Sequence, residues 1–275
     1  MLSPILTLLL LFVRPAAPDR LAPVDFASEA LAGKRQYVAW LPPGYDPDRA
    51  ERYPLVLLLH GLGGGGRDWF DPGLGDLQTD LRRLVTSGAI PPFIAVAPDG
   101  GNGYWTDHLG APRERYGAFI DEVLADAGHR FRAAPDRLAI VGASMGGHGA
   151  LSRALMAPGR FRAVVSIAGA LFPEPPTHRP IYKKVWGSPA DRAHWLATSP
   201  MALLERTPRA DVPPIFLACG ADDRERFLDW NVAADRRLTE LGIAHAFVLT
   251  PGPHGWTTWR ALNQRWLEWL APHLR

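Results

Sequence analysis

The chain contains a single cysteine, Cys219, in 275 residues. An intramolecular disulfide is therefore excluded, and with it any small disulfide-stapled fold. Cys219 closes the apolar run Ile215 to Ala218 and reads as a small buried hydrophobe. Metal-ligand spacings are missing as well. There is no C-x-x-C, no H-E-x-x-H and no acidic calcium loop, so the chain requires neither a metal nor a cofactor. Charge of one sign is scarce. Thirty Lys and Arg stand against 28 Asp and Glu, a formal net charge of +2, and the basic residues form no block. That leaves no electrostatic case for nucleic acid. No apolar run reaches the roughly 20 residues of an integral membrane span.

What is present is a normal globular balance, 47% hydrophobic and 21% charged, in a chain long enough for one large α/β domain or two small ones. The apolar run Ile5 to Val13, followed by Pro15-Ala16-Ala17, resembles the core of a short signal peptide. Export to the periplasm or the medium is the expectation, with the cytoplasm as the alternative. No Lys or Arg precedes the run, and Pro18 follows the small residues; both features weaken an export signal. Residues 1–24 read as a signal peptide or disordered start, and residues 25–275 as the folded domain.

From Ser28 onward, strands and helices alternate. Strand-forming residues run from Arg35 to Leu41, and Tyr53 to His60 is an unbroken apolar run of the kind buried on both faces of a sheet. Residues 75–88 place Leu77, Leu81, Leu84 and Val85 on one helical face. Phe93 to Ala97 reads as a strand, Tyr116 to Arg130 as a helix, Leu138 to Val141 as a strand and Gly147 to Met156 as a helix. Further strands are expected at Phe161 to Ala168, Pro213 to Cys219 and Ala244 to Leu249, with helices at Arg226 to Leu241 and Trp256 to Leu270. Residues 170–210 are broken by prolines and read as short helices and loops over the strand ends. The alternation predicts one mainly parallel sheet with helices on both faces and an insertion near 170–210.

In such sheets, ligands bind beyond the carboxyl ends of the strands, and the distinctive polar residues of this chain fall at strand exits. Gly142-Ala143-Ser144-Met145-Gly146 follows a strand and opens a helix. This G-x-S-x-G pattern puts a serine on a sharp turn with its hydroxyl exposed, although glycine and serine also build ordinary turns. A serine hydroxyl needs a base, and His254 lies on the loop after the last strand. The base needs an acceptor on its other nitrogen. Asp223 is the first choice, because the turn after Gly220 brings it back towards the sheet; Asp222 is the second and suits a helix cap. The order serine, acid, histidine is that of α/β-hydrolases. Backbone N–H groups of Met145 and of Leu62, in the His60-Gly61-Leu62-Gly63 turn, are the expected oxyanion donors.

Other readings compete at several positions. Gly63 to Gly66 could cradle a phosphate, but Arg67-Asp68-Trp69 follows where Gly-Lys-Ser/Thr is needed. His148 suits a buried, hydrogen-bonded role better than catalysis. Tyr104, Trp105, Trp186 and Trp256 are candidates for contacts with substrate, against a packing role.

Six pieces of the chain resemble the esterase D-like esterases of the α/β-hydrolase superfamily, a group that includes S-formylglutathione hydrolases, small-molecule carboxylesterases, feruloyl esterases and mycolyltransferases. They are Leu41-Pro42-Pro43-Gly44-Tyr45, Leu59-His60-Gly61-Leu62 with Asp68-Trp69, Pro98-Asp99-Gly100-Gly101, Gly142 to Gly147, Cys219 to Asp223 and Gly252-Pro253-His254-Gly255-Trp256. The resemblance runs from about Phe26 to the C-terminus. It implies an α/β-hydrolase fold with Ser144 as nucleophile, Asp223 as acid, His254 as base, and Leu62 and Met145 as oxyanion donors. It also implies that the segment around Trp186 forms part of the rim. Gly255, where the family often has Asp, and the glycine run 63–66 depart from the commoner pattern and bear on substrate preference.

The expected function is a serine carboxylic ester hydrolase that forms an acyl-enzyme on small short-acyl or aryl esters, since nothing in residues 170–210 resembles a long apolar lid. Two alternatives stand beside it: transfer of the acyl group to an alcohol or sugar, and a binding protein that keeps the scaffold without catalysis. Hydrolysis of S-formylglutathione ranks lower for an exported protein.

Overall fold

A computed structural model describes residues 17–188 and 192–275. The suggested signal-peptide core, Ile5 to Val13, lies outside the described residues. Eight strands form one sheet: β1 (Arg20–Ser28), β2 (Gly33–Leu41), β3 (Tyr53–Leu59), β4 (Ile94–Pro98), β5 (Ala133–Ala143), β6 (Phe161–Ile167), β7 (Ile215–Gly220) and β8 (His245–Thr250). Their order across the sheet is β1-β2-β4-β3-β5-β6-β7-β8. The β1–β2 and β2–β4 pairings are antiparallel, and the other five are parallel. This is the mainly parallel sheet of an α/β-hydrolase fold.

β3 shows why the parallel strands read as continuous apolar runs. All seven of its residues are buried. Leu55, Leu57 and Leu59 enter the core on one face, while Val56 and Leu58 enter the core on the other. The first face is covered by α2 (Tyr116–Arg130), α3 (Met145–Met156) and α7 (Glu225–Glu240). The second is covered by α1 (Leu77–Thr86), whose Leu77, Leu81 and Leu84 point inward, and by α8 (Trp256–Arg260) and α9 (Asn263–Leu270). Three short helices, α4 (Pro180–Trp186), α5 (Arg192–Thr198) and α6 (Pro200–Leu204), make up the insertion near 170–210.

Two expectations are corrected. The sheet begins at Arg20, so residues 20–24 belong to β1 and the folded region starts before residue 25. β1 is an edge strand that contains Pro23 and whose burial pattern is only partly apolar, so its sequence signal is faint. The helix read from Trp256 to Leu270 divides between Arg260 and Asn263. Beside that break, the Asn263 amide donates to the carbonyl of Gly75 and to Asp80.

The strand order also places the site. From β3 the chain crosses one way to β4, and from β5 it winds the other way through β6, β7 and β8. β3 and β5 are paired neighbours, with Leu59 beside Gly142. The loops leaving their carboxyl ends, at His60 and Ser144, therefore meet at the switch point where open α/β sheets bind ligands.

Candidate active site

Ser144 stands between β5 and α3 with φ 56° and ψ −115°, a backbone conformation that L residues rarely adopt. The turn is over-determined by its surroundings. The Ser144 N–H donates to the Ile167 carbonyl at 2.8 Å, and its carbonyl accepts from the N–H groups of His148 and Ala170 at 3.1 and 3.0 Å. Side chains are excluded on both sides. A Cβ on Gly142 would strike the Gly146 carbonyl, and one on Gly146 would strike the Leu59 carbonyl. Both obstacles are backbone, which cannot swing aside, so the two glycines of the pattern are steric requirements of the fold.

The hydroxyl so presented meets a base. Ser144 Oγ lies 2.9 Å from His254 Nε2, and His254 Nδ1 lies 2.9 Å from Asp223 Oδ2. The geometry fits a neutral imidazole that donates from Nδ1 to the carboxylate and accepts the serine proton on Nε2. The Phe227 ring, 4.2 Å away between centroids, and Trp259, at 5.1 Å, hold the imidazole in place. Asp223 is buried; its other oxygen accepts the Arg224 N–H at 2.7 Å, and the Cys219 thiol lies 3.5 Å from Oδ2. Burial and the neighbouring carboxylate push the Cys219 thiol well above its ordinary pKa, so it remains a neutral donor. Asp222 points elsewhere. It is exposed and accepts the Gly252 N–H at 2.9 Å, tying the loop after β7 to the loop that carries His254.

The glycine-rich loop after β3 is held by side chains from two neighbouring segments. Gly63 N–H donates to Asn102 Oδ1, Gly65 N–H to Asp68 Oδ2 and Gly66 N–H to Asp99 Oδ1, at 2.8, 3.0 and 2.6 Å. Gly64 N–H donates to the Gly61 carbonyl. With these donors occupied by protein acceptors, the loop is not built to cradle a phosphate. Among the described residues, the Leu62 N–H is the one from Leu62 to Gly66 with no protein acceptor. Met145 opens α3, so its N–H has no acceptor within the helix. His60 was not singled out from the sequence, yet it braces this loop from below. It is fully buried, donates from Nδ1 to the Gly61 carbonyl at 2.8 Å and accepts the Gly100 N–H on Nε2 at 3.0 Å. Burial holds its pKa below the usual histidine value, which keeps Nε2 free to accept.

These contacts make Asp99 a positioning residue, and a test follows. Asp99→Ala is expected to leave the Gly66 N–H unpaired, at a cost of about 1–3 kcal/mol. It should lower kcat on an aryl acetate more than it raises KM, because the loop that carries Leu62, the expected oxyanion donor, loses an anchor. Asp99→Asn, which retains an acceptor oxygen, should recover most of the rate. Equal losses in the two variants would argue against this role.

A cavity of about 640 Å³ opens over Ser144 and His254, and Leu62 and Tyr104 line it. Of the four aromatic candidates for substrate contact, Tyr104 alone is part of this lining. Trp105 is fully buried beneath the loop, where Gly100 and Gly149 leave room for its ring and its indole N–H donates to the His60 carbonyl. Trp186 is also buried, packed on Tyr104, His148 and Trp195, with its indole N–H on Thr198. Trp256 packs edge-on against Trp69 and Trp259. The last three therefore support the site from behind and do not line it. His148 sits fully buried in the same aromatic cluster and donates to the Ala170 carbonyl; burial pushes its pKa down to about 4, so it stays neutral. The wall that sequence reasoning missed comes from Phe172, His178, Arg179 and Tyr182 on one side and Arg224, Arg226, Phe227 and Trp230 on the other. Its only sequence signal is a recurrence of aromatic and basic residues in segments that otherwise read as loop and helix start. A second cavity, of about 530 Å³, lies at the amino ends of β3 and β5, remote from Ser144. Among the described residues, no group of three His, Cys, Asp or Glu is placed to hold a metal ion. No helix among them is long and apolar enough to cross a membrane.

Comparison with known proteins gives a consistent picture. The family model described as "Putative esterase" matches residues 28–265. An acetyl esterase from Caldicellulosiruptor saccharolyticus is 23% identical over 279 aligned positions, covering 90% of this chain and 97% of that protein. A ferulic acid esterase of known structure superposes with a TM-score of 0.79 at 25% identity, covering 94% of this chain and 99% of its own. An S-formylglutathione hydrolase from Agrobacterium tumefaciens superposes with a TM-score of 0.79 at 23% identity, covering 95% and 98%.

Proposed function

The chain belongs to the putative esterase family, and from that premise we propose that it is a serine carboxylic ester hydrolase acting on short-acyl or aryl esters with Ser144 as its nucleophile. The observation that carries this reading is the hydrogen-bonded line from Ser144 Oγ through His254 to Asp223, each step 2.9 Å, at the floor of an open cavity. Ser144 Oγ attacks the ester carbonyl as its proton passes to His254 Nε2. The oxygen of the tetrahedral intermediate takes hydrogen bonds from the N–H groups of Leu62 and Met145, which require no rearrangement as charge develops. His254 returns the proton to the departing alkoxide, leaving an acyl-serine. Water, deprotonated by the same imidazole, then attacks the acyl carbonyl, and His254 returns that proton to Ser144 Oγ as the acyl–oxygen bond breaks and the acid leaves. Asp223 keeps the proton of the neutral ring on Nδ1 and stabilises the imidazolium between the two transfers.

Aromatic walls and a cavity of about 640 Å³ suit an aryl ester or a short acyl chain better than a long lipid tail. The apolar run Ile5 to Val13 supports export of the enzyme. The reading is tested with p-nitrophenyl acetate and butyrate and with a labelled fluorophosphonate. Burst release of p-nitrophenol and modification at Ser144 are expected. A protein that turns over neither ester and resists the label would be a binding protein on a hydrolase scaffold.

A further inference from the structure

The mouth of the catalytic cavity is basic although the protein is nearly neutral. Its formal net charge is +2. Three arginines, Arg179, Arg224 and Arg226, nevertheless line the cavity that contains Ser144 and His254. All three are exposed at its rim. Elsewhere on the surface some arginines are held in ion pairs, such as Arg82 with Asp19, Arg153 and Arg160 with Asp121, and Arg237 with Glu205 and Glu240. Among the described residues, none of the three rim arginines has an ion-pair partner, and no free carboxylate lines the cavity. Two acids close in sequence to Arg224 are engaged elsewhere, Asp223 on His254 and Asp222 on the Gly252 N–H. The three arginines reach the rim from two separate elements, since Arg179 precedes α4 and Arg224 and Arg226 flank the start of α7. A guanidinium is a planar fork of donors that matches a carboxylate, and cations collected at the mouth of a low-dielectric cleft draw anions into it.

We propose that the preferred substrate is an anionic ester, one that carries a carboxylate a few bonds from the scissile carbonyl, which Arg179, Arg224 and Arg226 receive at the rim. This rests on the ester-hydrolase reading and narrows it. The carboxylate could belong to the acyl group, as in a monoester of a dicarboxylic acid, or to the alcohol, as in an acylated hydroxy acid. The chemistry recognised is the same in both.

Two matched pairs separate these sources. One is p-nitrophenyl hydrogen adipate against p-nitrophenyl hexanoate, and the other is 4-acetoxybenzoate against 4-acetoxybenzamide. In at least one pair, the anionic member is expected to have a kcat/KM about tenfold higher at low salt, on the order of 0.02 M. That ratio should fall to about two- to threefold near 0.5 M salt, as the Debye length shrinks to a few ångströms. In Arg179→Gln, and in the double variant Arg224→Gln with Arg226→Gln, the ratio should drop towards one, carried mainly by KM. The pair that responds identifies the side of the ester that bears the charge. If both pairs are hydrolysed with ratios that neither salt nor the substitutions move, the anion preference is wrong and the hydrolase reading stands. If no member of either pair is hydrolysed, both are wrong.

Discussion

Ser144→Ala is expected to lower kcat/KM on p-nitrophenyl acetate by about 10⁵- to 10⁶-fold with little change in KM, the size of loss seen when a triad nucleophile is removed. The substitution takes away one oxygen and little else. The backbone bonds that hold the turn, to Ile167, His148 and Ala170, do not involve the hydroxyl. Alanine bears the positive φ of 56° about as badly as serine does, so the strain is unchanged and the fold should survive. A circular dichroism spectrum and melting temperature near those of the parent would establish that. Some rate above the uncatalysed reaction should persist, because the proposed oxyanion donors, the N–H groups of Leu62 and Met145, are untouched by the substitution. A variant that keeps more than about a tenth of the parent rate would remove Ser144 from the mechanism.

What could be read in the sequence, and what could not, follows from how each feature is encoded. Strands buried on both faces, such as Tyr53–Leu59, leave a short continuous apolar run, which its length and the glycines that follow mark as strand. Helices packed on the sheet by one face leave a 3.6-residue period, and α2 covers the span its period predicts, Tyr116–Arg130. Edge strand β1 has neither signature and is recognisable only through its pairing with β2 from Arg20↔Leu41 to Ser28↔Gly33. The hydrogen-bonded line of Ser144, His254 and Asp223 is legible because a parallel sheet delivers its strand exits to one edge, so residues at those exits meet whatever lies between them in sequence. The pocket wall is not. Trp105 reads as a substrate contact because it is large and follows a strand exit, but whether an indole faces a cavity or lies beneath it depends on the space left by neighbours such as Gly100 and Gly149. The arginines of the rim were invisible for the same reason. They come together only because the residues before α4 and at the start of α7 meet over one cavity, which neither composition nor spacing records.

The choice between Asp222 and Asp223 was ambiguous in sequence and sharply different in geometry, so replacing each by asparagine should have unequal effects. Asp223→Asn is expected to lower kcat/KM by about 10⁴-fold while leaving the fold intact. The amide has the same shape as the carboxylate, but its nitrogen can donate. If that nitrogen takes the place of Oδ2, 2.9 Å from His254 Nδ1, the imidazole must accept there and carry its proton on Nε2. A proton on Nε2 cannot be replaced by one from Ser144 Oγ, so the base is blocked even though every heavy atom remains in place. If the amide keeps its oxygen towards the ring, the tautomer is right but the imidazolium has lost its counter-charge. Either way the transition state suffers and ground-state binding does not, so kcat should carry the loss. Asp222→Asn keeps an acceptor oxygen for the Gly252 N–H on an exposed loop, and its effect should stay within about threefold. Both variants are measured on p-nitrophenyl acetate beside the parent enzyme. A large loss in Asp222→Asn with a small one in Asp223→Asn would mean that the loop after β7 rearranges in the working enzyme, and it would assign the proposed acid role to Asp222.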